Sequence, residues 1–161
     1  MTKMSTLCYI SRDDEVLMLH RTVKKNDINH DKWIGVGGGI EAGETPLDCV
    51  IREVREETGY RIKSPEYRGI LYFFPDSGED ETIHLYTCKD FSGEEIVCDE
   101  GDLVWVKKEN VKKLPIWEGD KLFLELLDKK SAFFRLSLFY VGDRLVKAIL
   151  DEKTIVDGNN S

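Results

Sequence analysis

The segment from Thr45 to Gly59 is the feature that most limits how this chain can fold, because it carries start and stop signals for one short helix. Thr45 is a favourable N-cap, and Pro46 suits the first turn. Gly59 is placed to end the helix in a left-handed conformation. Apolar residues recur between them at i, i+3, i+4 and i+7, which predicts one face packed against a core. These residues are Leu47, Val50, Ile51 and Val54.

Three glutamates share another side of the same predicted helix. Glu53, Glu56 and Glu57 stand at i, i+3 and i+4, so their side chains are neighbours. Two such charges about 5 Å apart repel by ~3 kcal/mol at an effective dielectric of about 20. Either salt bridges, such as Arg52 with Glu56, neutralise this face, or a hard divalent cation such as Mg²⁺ binds to it. Helix spacing alone favours the salt bridges, since charged helix faces are common.

The composition limits the class of protein. A length of 161 residues, with 41% hydrophobic and 34% charged residues, suits one folded domain over residues 1–161. We expect its core to extend from about residue 5 to residue 150, followed by a C-terminal tail over 151–161. The net charge of −8 argues against a nucleic-acid polymer as partner. The apolar runs are too short to span a membrane, and the N-terminal residues lack an apolar signal segment, so we expect a cytoplasmic location and no membrane partner.

The remaining apolar segments predict a mixture of strands and helices. Because these do not alternate regularly along the chain, we expect an α+β fold with a mixed sheet between helices. The predicted strands are 6–11, 15–20, 67–74, 82–88, 103–106, 133–141 and 144–150. The predicted helices after the first are 108–113 and 120–129.

The glycine-rich loop before the first helix gives its glutamates a wider context. The spacing from this loop to the end of the helix resembles the Nudix box, G-x₅-E-x₇-R-E-U-x-E-E-x-G-U, where U is bulky and usually aliphatic. Tyr60 is a loose match to the final U, and every fixed position matches. The fixed positions are Gly38, Glu44, Arg52, Glu53, Glu56, Glu57 and Gly59. This resemblance makes a bound cation the better explanation of the acidic face.

The resemblance to Nudix hydrolases implies an α/β/α sandwich in which the box forms a loop–helix–loop. It also implies hydrolysis of a nucleoside diphosphate linked to another group, with Mg²⁺ or Mn²⁺ as cofactor. By the same analogy Arg52 would orient a glutamate through a charge-assisted hydrogen bond, and Glu44 would brace the loop. The implied metal ligands are the Gly38 carbonyl, Glu53, Glu56 and Glu57.

Beyond the box, residues 7–150 are similar to the MutT-type 8-oxo-dGTP diphosphatases. That likeness implies that Glu100 joins the metal site or acts as a base, that Trp117 stacks on a purine, and that Asp120 hydrogen-bonds the edge of the base. Each residue has a simpler interpretation: an ordinary loop carboxylate, a core aromatic residue and a helix N-cap respectively.

The expected reaction converts an oxidised purine deoxynucleoside triphosphate, such as 8-oxo-dGTP, to the monophosphate and pyrophosphate. Arg21 or Lys24 would hold an outer phosphate, although loop cations are usually only solvated. Glu53 or Glu100 would take a proton from the attacking water. The partner would be this small nucleotide, the role would be sanitisation of the nucleotide pool, and the protein would be a monomer or a homodimer.

Two departures from the human-type oxidised-purine enzymes concern the base. Ile34 follows Trp33 where those enzymes have a base-reading asparagine, and Gly119 precedes a single Asp120 where they have two aspartates. Pro75, a short distance beyond the box, fits the enzymes that act on ADP-ribose. Hydrolysis of ADP-ribose or another nucleoside diphosphate derivative is therefore an alternative. A catalytically silent nucleotide sensor is a second one, which the intact glutamates disfavour.

Overall fold

A computed structural model of the chain describes residues 2–23 and 26–158. Its helices and strands follow one another in an irregular order, as expected for an α+β fold. In chain order the elements are β1 (Lys3–Arg12), β2 (Glu15–Arg21), β3 (Trp33–Ile34), α1 (Pro46–Thr58), β4 (Arg61–Lys63), β5 (Glu66–Phe74), β6 (Glu81–Cys88), β7 (Asp90–Ser92), β8 (Gly101–Lys107), α2 (Lys108–Val111), α3 (Glu118–Asp128), β9 (Phe134–Val141), β10 (Arg144–Leu150) and β11 (Lys153–Asp157).

A mixed sheet organises the molecule. In the described ranges it has nine strands, in the order β11-β10-β9-β5-β6-β1-β2-β3, with β8 also paired to β2. The pairs β1–β6 and β5–β9 are parallel, and the other neighbouring strands are antiparallel. β4 and β7 form a separate two-stranded sheet. The predicted mixed sheet is confirmed.

Alternate residues of β1 pack on opposite sides of the sheet, as the two-residue repeat of a strand requires. Cys8 and Ile10 pack in one cluster with Val50 and Val54 of α1. Tyr9 belongs to the other cluster, where its ring lies 5.9 Å from that of Phe123 in α3. The sheet therefore lies between α1 and α3, which confirms the predicted sandwich.

The local signals around α1 act as the sequence predicts. The Thr45 hydroxyl accepts a hydrogen bond from the Asp48 backbone N–H at 3.1 Å, and the Asp48 carboxylate accepts one from the Thr45 N–H at 3.5 Å. This reciprocal pair satisfies two N–H groups that the helix itself leaves free. At the other end Gly59 has a φ of 84°, and its N–H donates to the Arg55 carbonyl.

The buried face of α1 differs from the predicted one. Val50 and Val54 are fully buried as expected, but Leu47 and Ile51 are 45% and 38% exposed. Cys49 is buried in their place. The side of α1 that carries Cys49 and Val50 therefore packs on the sheet, and the side that carries Leu47 and Ile51 faces solvent.

The C-terminal region also differs from the sequence-based expectation of a tail after residue 150. A turn at Asp151, which has a φ of 55°, reverses the chain so that β11 pairs with β10. The Asp151 carboxylate accepts a hydrogen bond from the Arg135 N–H at 3.0 Å, and Val156 packs on the core. This region is therefore part of the sheet. Among the described helices, none is long and apolar enough to cross a membrane.

Replacing Gly59 with alanine should destabilise the protein by more than the left-handed backbone alone explains. That backbone costs a residue with a side chain roughly 1–2 kcal/mol, and a Cβ on Gly59 would also overlap the Glu94 carbonyl oxygen. Gly43 is a matched control, because its φ is 80° and a Cβ there meets nothing within 4 Å. Denaturant unfolding of both variants measures the difference, and equal losses for the two would contradict this account.

Candidate active site

The glycine loop before α1 lies directly on strand β1. A Cβ on Gly37 would overlap the Thr6 carbonyl oxygen, so a residue with a side chain does not fit there. The Thr6 N–H donates to the Gly38 carbonyl at 2.9 Å, and backbone bridges link Cys8 with Val36 on the same strand. These contacts fix the loop to the sheet, where it forms the floor beneath the acidic side of α1.

Arg52 is the cation that holds the acidic residues of the box. Its guanidinium binds both oxygens of Glu44, at 2.7 and 2.8 Å, and donates to the Gly39 carbonyl at 3.1 Å. It also donates to Glu53 at 2.8 Å and to Glu56 at 3.2 Å. The hydrogen bonds from Arg52, with one from the Glu41 N–H, lower the pKa of Glu44 to about 2. The hydrogen bonds to Glu44 and Glu53 raise the pKa of Arg52, against a lowering by burial.

Glu53 is held in place from two sides. Arg52 fixes one of its oxygens, and its carboxylate occupies the space where Gly38 would carry a Cβ. Its side chain is only 16% exposed. Glu56 points outward instead, with a side chain that is 59% exposed. The box glutamates are therefore not equivalent: one lies against the glycine loop and one is largely in solvent.

Glu57 and Glu100 form a second acidic pair beside the loop. Burial raises the pKa of Glu57 to about 9, and the hydrogen bond and charge of Glu100 act in the same direction, as does the charge of Glu53. Gly37 opposes the shift through its backbone N–H. Two adjacent carboxylates repel, so the more enclosed of the two, Glu57, holds its proton to a higher pH than a free glutamate does. The Glu57 Oε2 is buried and accepts no hydrogen bond from the described residues.

Arg21 is already engaged by acidic partners. It donates to Asp27 at 2.7 and 2.8 Å and to the Glu100 Oε2 at 3.0 Å. The predicted phosphate contact would therefore have to share a guanidinium that positions Glu100. Lys24, the other residue predicted to hold a phosphate, lies outside the described residues.

Trp117 and Asp120 line one end of a cleft whose other end is at Gly37 and Gly38. Trp117 is 7% exposed, and its indole N–H donates to the Asn29 side-chain oxygen at 2.7 Å. Tyr140 packs edge-on against this indole, with ring centres 5.0 Å apart. Asp120 is in the first turn of α3, which begins at Glu118, so the alternative interpretation of Asp120 as the N-cap is wrong. Burial raises the pKa of Asp120 to about 8, against a smaller lowering by Lys32.

One cleft joins the two ends. Four of the predicted site residues line it: Arg21, Gly38, Trp117 and Asp120. Glu53 and Glu57 adjoin it where they contact Gly38 and Gly37. Ile34 lies in the wall, so an apolar side chain faces the cleft at the position that differs from the human-type enzymes. Glu44 of the glycine loop binds Arg52 of α1, and Gly59 ends α1 in a left-handed conformation.

The donor set at the acidic end suits a hard divalent cation. Within residues 2–23 and 26–158, three or more acidic, histidine or cysteine side chains do not already converge on one point. The buried Glu57 Oε2 is nevertheless left without a donor, which a cation would compensate. Glu53, Glu57 and Glu100 are the residues that would hold it, whereas the carboxylate of Glu56, which the sequence also predicted as a ligand, is bound to Arg52 and is 59% exposed. The Gly38 carbonyl accepts from Thr6 and would contribute through its second lone pair.

Sequence reasoning missed two residues that shape the cleft. Asn29 fixes the Trp117 indole, and Asp27 fixes Arg21. Both lie in the loop after β2. No local sequence pattern predicts that Asn29 contacts Trp117 or that Asp27 contacts Arg21.

The structure is an α/β/α sandwich in which a glycine loop lies against an acidic helix, and Arg52 joins the two. Comparison with known families identifies the family: the family model described as NUDIX domain matches residues 1–127. The chain belongs to the Nudix family, and it is a Nudix hydrolase.

Individual relatives agree with this assignment. The chain is 30% identical over 143 residues to the uncharacterized Nudix hydrolase YvcI of Bacillus subtilis, which covers 86% of this chain and 87% of the relative. It is 28% identical to the oxidized purine nucleoside triphosphate hydrolase of Danio rerio, over 94% and 96% of the two chains. The MutT protein of Bacillus halodurans has a similar structure, with a TM-score of 0.81 and 30% identity over 92% and 97% of the two chains.

Replacing Arg52 with lysine should slow hydrolysis by about 10- to 100-fold, the usual loss when a group that orients a catalytic or ligating side chain is removed. Lysine keeps the charge but lacks the planar fork that binds Glu44 and Glu53 together. Steady-state kinetics measures the loss, which should fall mainly on kcat. Arg55→Lys is the control, because Arg55 is an exposed arginine on the same helix. Similar rates for the two variants would show that Arg52 does not orient the site.

Proposed function

We propose that this protein hydrolyses nucleoside triphosphates to the monophosphate and pyrophosphate, with oxidised purine deoxynucleotides such as 8-oxo-dGTP as preferred substrates. One observation carries the proposal. Trp117 and Asp120, which suit a purine, line the same cleft that reaches the glycine loop beneath Glu53 and Glu57. A nucleotide bound in this cleft would have its base at one end and its phosphates at the other.

The base end supports a purine. Trp117 is held by Asn29 and Tyr140, so its ring is fixed before a ligand arrives. Phe73 and Leu71 add apolar surface to the wall. At neutral pH the raised pKa of Asp120 keeps much of this carboxyl protonated, so it presents both a donor and an acceptor to the edge of a base. A purine altered at its edge changes the donors and acceptors that such a carboxyl meets.

The acidic end supports cleavage of a phosphoric anhydride. A divalent cation held there would neutralise charge on the phosphoryl oxygens and lower the pKa of the attacking water. Arg52 keeps Glu53 directed at Gly38, and Arg21 keeps Glu100 beside Glu57. Glu53 and Glu100 are therefore the two carboxylates placed to take a proton from water. The inner position of Glu57, away from bulk solvent, suits a ligand better than a base.

The proposed substrate is tested by measuring kcat/KM for 8-oxo-dGTP, dGTP, ADP-ribose and a dinucleoside polyphosphate, with Mg²⁺ and with Mn²⁺. We expect the highest value for 8-oxo-dGTP, with pyrophosphate as product. Glu57→Gln should reduce this value by about 100-fold, because a ligating carboxylate is lost. This variant also shows that the activity belongs to the protein and not to a contaminant.

Other outcomes of the same screen would replace the proposal. A preference for ADP-ribose would assign the protein to the hydrolases of nucleoside diphosphate derivatives. Binding of a nucleotide without turnover of any substrate would assign it a sensing role. Full activity of Glu57→Gln with saturating Mg²⁺ would show that the ligand assignment is wrong.

Replacing Asp120 with asparagine should make stability less sensitive to rising pH. Folding raises the pKa of this carboxyl from 3.8 to about 8, so the folded protein resists its ionisation. The cost is absent below pH 4, grows as the pH rises toward 8 and is constant above that, which lowers the free energy of unfolding of the wild type over this range. The variant lacks this cost.

Denaturant unfolding at several pH values measures the difference between the Asp120→Asn variant and the wild type. The free energy of unfolding of the variant, relative to that of the wild type, should increase as the pH rises from about 4 to 8. Asp128→Asn is the control, because Asp128 is exposed on the same helix. A difference that stays constant with pH would contradict the raised pKa of Asp120.

A further inference from the structure

A continuous chain of hydrogen bonds links the two ends of the cleft. At the base end the Trp117 indole N–H donates to Asn29 Oδ1 at 2.7 Å, and the Asn29 backbone N–H donates to Asp27 Oδ1 at 3.2 Å. Arg21 donates to Asp27 Oδ2 at 2.7 and 2.8 Å. Arg21 also donates to Glu100 Oε2 at 3.0 Å. The chain therefore runs from the Trp117 indole to the Glu100 carboxylate.

Asp27 is the midpoint of this chain. One of its oxygens accepts from the Asn29 backbone N–H and the other accepts from Arg21. A rotation of the carboxylate therefore changes both hydrogen bonds together. The side chains of Asp27 and Arg21 are only 12% and 16% exposed. A charge pair shielded in this way is stronger than a surface pair and is screened less by salt.

The loop that carries Asp27 is also fixed by its own backbone. The Arg21 N–H donates to the Lys32 carbonyl, and the Asp31 N–H donates to the Arg21 carbonyl. Within the loop the His30 N–H donates to the Asp27 carbonyl. The loop is thus held by backbone bonds as well as by the Asp27 carboxylate, which accepts from the Asn29 backbone N–H through one oxygen and from the Arg21 side chain through the other.

We propose that Asp27 is a positioning residue that couples the base end of the cleft to Glu100; this rests on the proposed function. A base that packs on Trp117 stabilises the Asn29 contact, hence the orientation of Asp27 and of Arg21. That orientation fixes Glu100 for reaction. Contacts with the base then raise kcat as well as lowering KM. By reciprocity, the state of Glu100 changes the environment of Trp117.

The first test is kinetic. Asp27→Asn should lower kcat for the preferred triphosphate about tenfold, the effect of weakening one charge-assisted hydrogen bond, and should also raise KM. Asp31→Asn is the matched control, since Asp31 is in the same loop with a side chain that is 73% exposed, and it should stay within about twofold of the wild type. A change in KM alone, or equal effects of the two variants, would overturn the proposal.

The second test needs no catalysis. The Trp117 indole N–H resonance, assigned with Trp117→Phe, is followed by NMR in the nucleotide-free protein. Glu100→Ala should move this resonance in the wild-type and Asp31→Asn backgrounds, and less in the Asp27→Asn background. No movement, or equal movement in all three backgrounds, would overturn the coupling. If the proposed substrate were wrong, this result would still decide whether Asp27 connects the two ends.

Discussion

The guanidinium of Arg52 is the interaction on which the box depends. Three carboxylates of the glycine loop and α1 lie within 3.2 Å of it, and without a cation there they would repel one another. Its planar fork does more than neutralise charge, because it ties Glu44 of the loop to Glu53 of the helix. The loop and the helix are therefore one unit, and strand β1 anchors that unit to the sheet.

The acidic residues fall into two groups with opposite electrostatic states. Arg52 lowers the pKa of Glu44 to about 2, so this carboxylate is ionised at neutral pH and can bind Arg52. Glu57 is buried beside Glu100, and its pKa is raised. Similar side chains thus have pKa values shifted in opposite directions, because their neighbours differ. Asp120 repeats the second state at the base end.

The sequence predicted the caps of α1 and the spacing of the box because those signals involve residues a few positions apart. It did not predict which face of α1 is buried: Leu47 and Ile51 have the same helical period as Val50 but are exposed, and Cys49 is buried against the Gly38 and Gly39 carbonyls. The Trp117–Asn29 contact joins residues 88 positions apart and leaves no local pattern. The edge strand at residues 153–157 depends in the same way on a tertiary pairing with β10.

The glycine loop also offers a practical opportunity. Gly39 is exposed, and a side chain there would meet nothing within 4 Å, although its neighbours at 37 and 38 admit none. All four native cysteines are buried and reduced. A single cysteine introduced at position 39 would accordingly be the accessible thiol, and a fluorescent dye attached to it would report nucleotide arrival beside the acidic helix in real time.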